Sequence, residues 1–310
     1  TPDRTVEPMS DLAPAPRTRS LGTSGITISS LAWGMWRFAG GRDDAARLVH
    51  AVLDSGITFF DTADIYGFNG HNGFGDAEAL FGEVMAADPS IRNRITLATK
   101  GGIMPPLPYD QSGPYLAGAL DASLRRLKVE RVELYQIHRP DILAHPHEVA
   151  RTLTDAVTAG KIASIGVSNM TIHQIAALQH FLGSVPIVAT QPEISPLRID
   201  CIENGELDQA MVMGMTPLAW SPLGGGRLAA PESDRDRTVA AALDVVAETH
   251  GVSRSAAAYS WLMAHPSGIV PIVGTQNPAR VAEAADAYAV RWTRAQWYAV
   301  LVAARGEPLP

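Results

Sequence analysis

Cysteine, lysine and charge are what this 310-residue chain has least of, and each scarcity excludes something. A single cysteine, Cys201, rules out an intramolecular disulfide and a thiolate metal cage. Charged residues make up only 18% against 46% hydrophobic ones, so the chain is not of the disordered, solvating kind. The net charge of −7 offers no basic face to nucleic acid. No run approaches the about 18 consecutive apolar residues of a membrane-spanning helix. Residues 1–16 carry Pro2, Pro8, Pro14 and Pro16 and lack the apolar core of a secretory signal. They read as a flexible tail before a single domain over 17–310. These bounds predict a soluble, cytoplasmic, enzyme-sized protein, monomeric by default, with no nucleic-acid or membrane partner.

Length alone suggests two domains at roughly 150 residues each, although one α/β barrel also uses this length. The hydrophobic pattern decides for the barrel. Short apolar, β-branched runs at 31–33, 57–60, 95–98, 132–137, 162–167, 187–190, 216–220 and 269–273 end abruptly. Helix-period stretches separate them at 43–55, 76–87, 114–127, 146–159, 171–181, 206–213 and 238–249, with further helices at 255–265 and 277–287. Runs apolar on both faces suit a closed, covered sheet, and the alternation argues for parallel βαβ units. Eight such units are the count of a (β/α)8 TIM barrel of the α/β class. A doubly wound sheet would open with a glycine-rich phosphate motif, which is absent after 31–33. Residues 17–30, around Thr23-Ser24-Gly25, predict an N-terminal β-hairpin. Residues 293–304, with Trp297 and Val300 on one face, predict a C-terminal covering helix.

In such a barrel, chemistry sits at the C-terminal ends of the strands. There the sequence places Asp61, Tyr66, Lys100 and His138 on one rim. Each alone has a plain reading: a cap, a packing ring, a solvated loop charge, a satisfied buried histidine. Together they form a mechanism. A phenol of pKa about 10 is a weak acid at neutral pH, and an adjacent ammonium lowers that value. Asp61 would hold Lys100 in place and keep it charged, and His138 would orient a carbonyl oxygen. The scarcity of lysine points the same way. Of 25 cations only Lys100, Lys128 and Lys161 are lysines, which leaves 22 arginines. Such a site protonates a developing alkoxide but has no electron source, so a hydride-carrying cofactor is implied. No metal is expected, because His145 and His147 lack a third ligand.

On the segments Phe60-Asp61-Thr62-Ala63-Asp64-Ile65-Tyr66-Gly67, Ala98-Thr99-Lys100, Gln136-Ile137-His138-Arg139-Pro140-Asp141, Gly160-Lys161-Ile162, Ile165-Gly166-Val167-Ser168-Asn169 and Ser221-Pro222-Leu223, in that order, the chain resembles the aldo-keto reductase superfamily. The match runs from Arg17 to Ala304. The resemblance implies an NADP(H)-dependent oxidoreductase that reversibly reduces aldehydes or ketones to alcohols. It makes Tyr66 the proton donor, Lys100 its pKa-lowering partner, Asp61 the supporting carboxylate and His138 the orienting residue. It gives Lys161 a structural place, in the turn before the fifth strand.

By the same resemblance Ser168, Asn169 and Gln191 hold the nicotinamide carboxamide. Trp220, opening the run Ser221, Pro222 and Leu223, stacks on the ring, and the Gly224-Gly225-Gly226 run lets backbone amides approach the pyrophosphate. Gly274, Thr275, Gln276 and Arg280 match the 2′-phosphate and adenosine site. The loop Gly274-Thr275-Gln276-Asn277 lacks the Lys or Arg of many NADPH-dependent members, leaving Arg280 as the visible cation. NADPH is expected, with NADH open. Trp36, with Tyr66 and His138, is expected to line the pocket for a small carbonyl or alcohol substrate, walled by loops 67–76 and 101–113. The alternative is a nicotinamide-binding regulatory subunit on the same fold, like the potassium-channel β-subunits.

Overall fold

The computed structural model describes residues 12–310. Of the expected N-terminal tail, residues 1–11 lie outside the described residues. Leu12 donates its N–H to Trp292 O (2.8 Å). The hairpin follows as β1 (Thr18–Ser20) and β2 (Thr27–Ser29), antiparallel with Arg19 opposite Ile28.

Eight short strands then close into a parallel barrel: β3 (Ala32–Gly34), β4 (Phe59–Asp61), β5 (Thr96–Gly101), β6 (Val132–Ile137), β7 (Ile162–Ser168), β8 (Ile187–Gln191), β9 (Thr216–Ala219) and β10 (Val270–Val273). The last strand pairs back on the first, Ile272 with Ala32 and Val273 with Trp33. Between them run α1 (Arg42–Asp54), α2 (Asp76–Ala87), α3 (Gly113–Leu127), α4 (Pro146–Thr158), α5 (Ile172–Leu182), α6 (Asp200–Glu203), α7 (Glu206–Met213), α8 (Asp234–His250) and α9 (Arg254–Met263). After β10 come α10 (Pro278–Ala284) and the covering helix α11 (Arg294–Arg305). The α/β barrel, its hairpin and its covering helix are as the sequence predicts.

Two details differ. Helix α8 begins at Asp234 rather than near 238, because Ser233 and Asp236 form a capping box across a polar stretch with no apolar period. The four-residue α6 sits in a loop too short to show periodicity.

The pleat sorts the strand residues into two populations. Phe59, Ala98, Leu134, Ala189, Leu218 and Val270 fill the barrel interior, joined by Leu21 and Ile28 of the hairpin. The hairpin therefore plugs one end, fastened by Gly22 N to Thr216 Oγ1 (2.7 Å) and by Arg19 to Gly268 O. Neighbours one residue along, such as Phe60, Leu97, Tyr135 and Val167, face outward into the layer beneath the helices. A second outer cluster lies under α8, α9 and α11, where Trp261 and Trp297 stack at 4.9 Å and each indole N–H donates to the other's carbonyl (3.0 Å both ways).

Candidate active site

Because side chains alternate along a strand, the residue two beyond each interior apolar one points to the same axis. Asp61 follows Phe59, Lys100 follows Ala98, Gln136 follows Leu134 and Gln191 follows Ala189. These four polar residues form one layer directly above the apolar interior. Lys100, fully buried, donates to Asp61 Oδ2 (2.6 Å), Thr62 O (2.9 Å) and Tyr66 Oη (3.2 Å). The other carboxylate oxygen of Asp61 accepts from Gln136 Nε2 and Gln191 Nε2, both at 3.1 Å. Gln191 also donates to Gln136 Oε1 (3.2 Å). Gly166 makes the layer possible, since a Cβ there would stand 2.9 Å from Gln136 Cγ.

Above the layer, Tyr66 lies at the mouth on the turn after β4. Trp36 meets its ring edge-on at 5.2 Å and His138 at 5.8 Å, so the three expected pocket residues share one opening. Trp36 is 58% exposed, which suits a wall that meets small molecules. The His138 backbone N–H donates to Gly101 O (2.9 Å), and its ring Nδ1 is buried without a protein partner.

Burial would lower the Lys100 amine, but Asp61 and Tyr66 outweigh it and hold it above its ordinary value. Burial pushes the Tyr66 phenol up, against the pull of Lys100 and with Asp61 adding to the rise. The sequence reading expects a lowered phenol. The balance goes the other way because the ring is walled in and the ammonium's charge is shared with a carboxylate at 2.6 Å. Burial, then Lys100 and Arg139, pushes His138 well below its ordinary value, so its imidazole is neutral at pH 7. These directions favour a protonated phenol and a neutral imidazole beside a charged, buried ammonium.

The residues expected to hold the nicotinamide end form a linked chain. Ser168 Oγ donates to Gln191 O (2.8 Å) and accepts from Asn169 Nδ2 (2.7 Å). Asn169, at φ 56°, accepts from Trp220 Nε1 on its Oδ1 (2.9 Å). The Arg139 guanidinium lies 5.5 Å from the Trp220 ring centroid, a cation–π contact the sequence does not reveal. Ser221, at φ 53°, turns the chain into the glycine run and accepts from Gly225 N on its Oγ (2.9 Å). Pro222 is buried and Leu223 packs against both outer clusters, while Gly224 and Gly226 adopt φ of 60° and 101°. A Cβ at Gly225 or Gly226 would meet nothing within 4 Å, so this backbone is open to a ligand.

Across the mouth, Trp33 Nε1 donates to Thr275 O (3.1 Å) and Gln276 Nε2 to Gly34 O (3.3 Å), while Gln276 Oε1 is buried without a protein partner. A Cβ at Gly274 would likewise meet nothing within 4 Å. Arg280 is exposed and pairs with no carboxylate among the described residues. An open glycine backbone, an orphaned amide oxygen and a free guanidinium fit an extended dinucleotide.

Gln136 is the site member that residue types alone do not single out. Its place two residues before His138 in a strand, with Leu134 two before it, is the signal that would have found it. Lys161 pairs with Asp121 (2.6 Å) away from the mouth. Lys128 ends α3 at φ 55°. His145 and His147 pack around Phe181, and no cluster of three or more metal-ligating residues occurs among the described residues.

A closed barrel whose mouth gathers Asp61, Lys100, Tyr66 and His138 has the groups to polarise and protonate a carbonyl oxygen. The sequence model of the Aldo/keto reductase family matches residues 30–301, and the chain belongs to that family as an NAD(P)H-dependent oxidoreductase. It is 68% identical to the 6-dehydroglucose reductase of Novosphingobium aromaticivorans over 305 residues, 97% of this chain and 100% of that protein. It is 35% identical to the 6-dehydroglucose reductase of Agrobacterium fabrum over 91% of this chain and 96% of that protein. Among solved structures, the thermostable aldo-keto reductase Tm1743 superposes with a TM-score of 0.79 at 23% identity, covering 92% of this chain and 99% of that one. That likeness shows the fold. Between the two readings the sequence raised, the comparisons support the enzyme.

Proposed function

We propose that this protein reduces the aldehyde group of a sugar of the 6-dehydroglucose class to a primary alcohol, reversibly, with NADPH as the preferred cofactor. The observation that carries the reduction is Lys100 donating at once to Asp61 (2.6 Å) and Tyr66 (3.2 Å) in a fully buried layer below the mouth. The sugar class rests on the two reductases to which the chain is similar, above all the one at 68% identity.

A bound nicotinamide supplies the hydride. Tyr66 accepts from Lys100 and so keeps its own O–H free to point into the mouth, where it protonates the oxygen that gains charge. The neutral His138 imidazole donates to the same oxygen and orients it. Trp36 offers an exposed ring face to the sugar carbons, and Arg139, beside Trp220, offers a donor fork to its hydroxyls. Asp61, Gln136 and Gln191 hold the ammonium in register, and Arg280 supplies the positive charge that favours a 2′-phosphate.

Tyr66→Phe should abolish reduction of 6-dehydroglucose while cofactor binding, read by nicotinamide fluorescence, stays near the wild-type value. Retained turnover would exclude this mechanism. A panel of aldehydes and ketones decides the substrate class, which fails should simple aldehydes match the sugar in kcat/KM. Arg280→Ala should weaken kcat/KM for NADPH more than for NADH, and equal losses would remove its phosphate role.

A further inference from the structure

Behind the active-site wall, on the side facing the helices, lies a set of buried polar groups that the chemistry above leaves unused. Asp64 is fully buried and donates its N–H to Lys100 O (3.0 Å), yet neither of its carboxyl oxygens bonds to a side chain, and only the Ile65 backbone N–H stands beside them. The buried Tyr135 hydroxyl has no partner in the protein. Both converge over Gly101, where a Cβ would overlap the Tyr135 hydroxyl and stand 3.3 Å from Asp64 Oδ2. The nearby groups are otherwise engaged. Glu78 accepts from Thr99 Oγ1 (2.5 Å) and pairs with Arg126 (2.7 Å), and Tyr115 donates its hydroxyl to Ile103 O (3.1 Å). Buried polar atoms without a partner are costly and few in native folds, so two converging on one spot ask for a third party.

Beside them opens a recess of about 310 Å³, between α3 and the loop leading into α2. Phe74, Pro114, Tyr115, Ala119 and Ala122 make its mostly apolar walls, and Asp64 is among the residues that line it. Arg126 forms one side, 5.9 Å from the Phe74 ring centroid, with its charge already matched by Glu78. The volume falls at the small end of ligand pockets, and the matched charges disfavour an ionic occupant.

We propose that this recess is a second binding site, separate from the barrel mouth, for a small uncharged ring compound whose single hydroxyl bonds to Asp64. The Asp64 carboxyl oxygens accept from that hydroxyl in either protonation state, and burial, reinforced by Glu78, pushes the carboxyl well above the usual carboxylate range. The ring fills the apolar walls. This site does not depend on the sugar reduction proposed above, and its test does not read turnover.

Phenol is the probe, titrated against the full chain by ligand-observed NMR with and without saturating NADP+. The proposal expects one saturable site whose affinity is unchanged by NADP+ and weakens about tenfold in Asp64→Leu, the scale of one lost hydrogen bond to a buried group. Gly118→Leu should abolish it. Gly118 lines the recess, a Cβ there meets nothing within 4 Å, and leucine is the better helix former, so this variant fills the space without straining the fold. Toluene, which has the ring but no hydroxyl, should bind more weakly than phenol to the wild type and equally to Asp64→Leu. Absence of saturable binding, displacement by NADP+, or phenol binding unaltered in a folded Gly118→Leu would each overturn the proposal.

Discussion

Lys100 shows why one residue type cannot stand in for another here. A buried ammonium has three N–H donors, and this one finds three acceptors in Asp61, Thr62 and Tyr66. A guanidinium brings five donors in a rigid fork and would leave some unsatisfied in a fully buried layer. Lys100→Arg and Lys100→Met should both lower kcat/KM for carbonyl reduction, by about 10²- to 10⁴-fold for the loss of acid assistance. Lys100→Met differs from a merely structural lesion in its pH profile. Reduction needs the phenol protonated, so activity falls as pH rises through the value of Tyr66. The ammonium lowers that value, and removing it in Lys100→Met shifts the alkaline limb to higher pH. A limb that stays put would show that Lys100 only fills space.

Asp64 gives a second titration, read in stability rather than in activity. Its native carboxyl is pushed well above its ordinary 3.8 by burial and Glu78, so the native state keeps the proton longer than the unfolded chain. The sign follows from that. Stability is full below the ordinary carboxylate range and is lost as pH rises through the native value. Asp64→Asn removes the titration, so the Tm of the variant minus that of the wild type should grow steadily from acid to mildly alkaline pH. A difference flat with pH would mean that Asp64 is ionised in the fold. At this scale the sequence was partly legible. Chemistry-bearing residues at strand ends announced the layer, while the partners of Asp61 did not, because a neutral amide such as Gln136 carries no signal until its strand register is known.

Strands and helices were legible where pattern is long and obscure where a single contact decides. Apolar runs bounded by abrupt polar residues located all eight barrel strands, since each must be covered on both faces. The start of α8 was not seen because Ser233 and Asp236 act through a reciprocal cap rather than through periodicity. Ser233→Ala should cost about 1 kcal/mol, read as a lower Tm with unchanged turnover. In β7 the decisive feature is a missing side chain. A Cβ on Gly166 would approach Gln136 Cγ at 2.9 Å, Leu134 Cδ1 at 3.1 Å and Ala189 O at 3.3 Å. Gly166→Ala should therefore cost about 1–3 kcal/mol by overpacking. It should also lower kcat by pushing Gln136 away from Asp61, whereas the Ser233 variant leaves kcat alone. Equal effects of the two on kcat would remove Gln136 from the network that holds the ammonium.

At the scale of the whole molecule, length and barrel closure point different ways for the described residues. A rule of thumb divides a chain of this size in two, yet the last strand pairs with the first and the hairpin side chains share the barrel interior, so no cut leaves either part with a complete core. Helix α11 is tied in as well, through the Trp261–Trp297 stack, and the segment just before it through Trp292 Nε1 to Ser260 Oγ (3.0 Å). The lone cysteine that excluded disulfides now serves as a reporter of that unity. Cys201 is buried in α6, its thiol donating to Glu206 Oε2 (3.3 Å), and burial followed by Glu206 pushes the thiol up, so the reactive thiolate is scarce in the native state. A disulfide reagent should leave Cys201 unmodified in native buffer at pH 8. With rising urea, labelling should begin with the loss of far-UV circular dichroism and with the change in tryptophan fluorescence, as one cooperative unit requires. Labelling at urea concentrations where both signals are intact would show that the rim segment around α6 opens on its own, and that closure of the barrel does not extend to it.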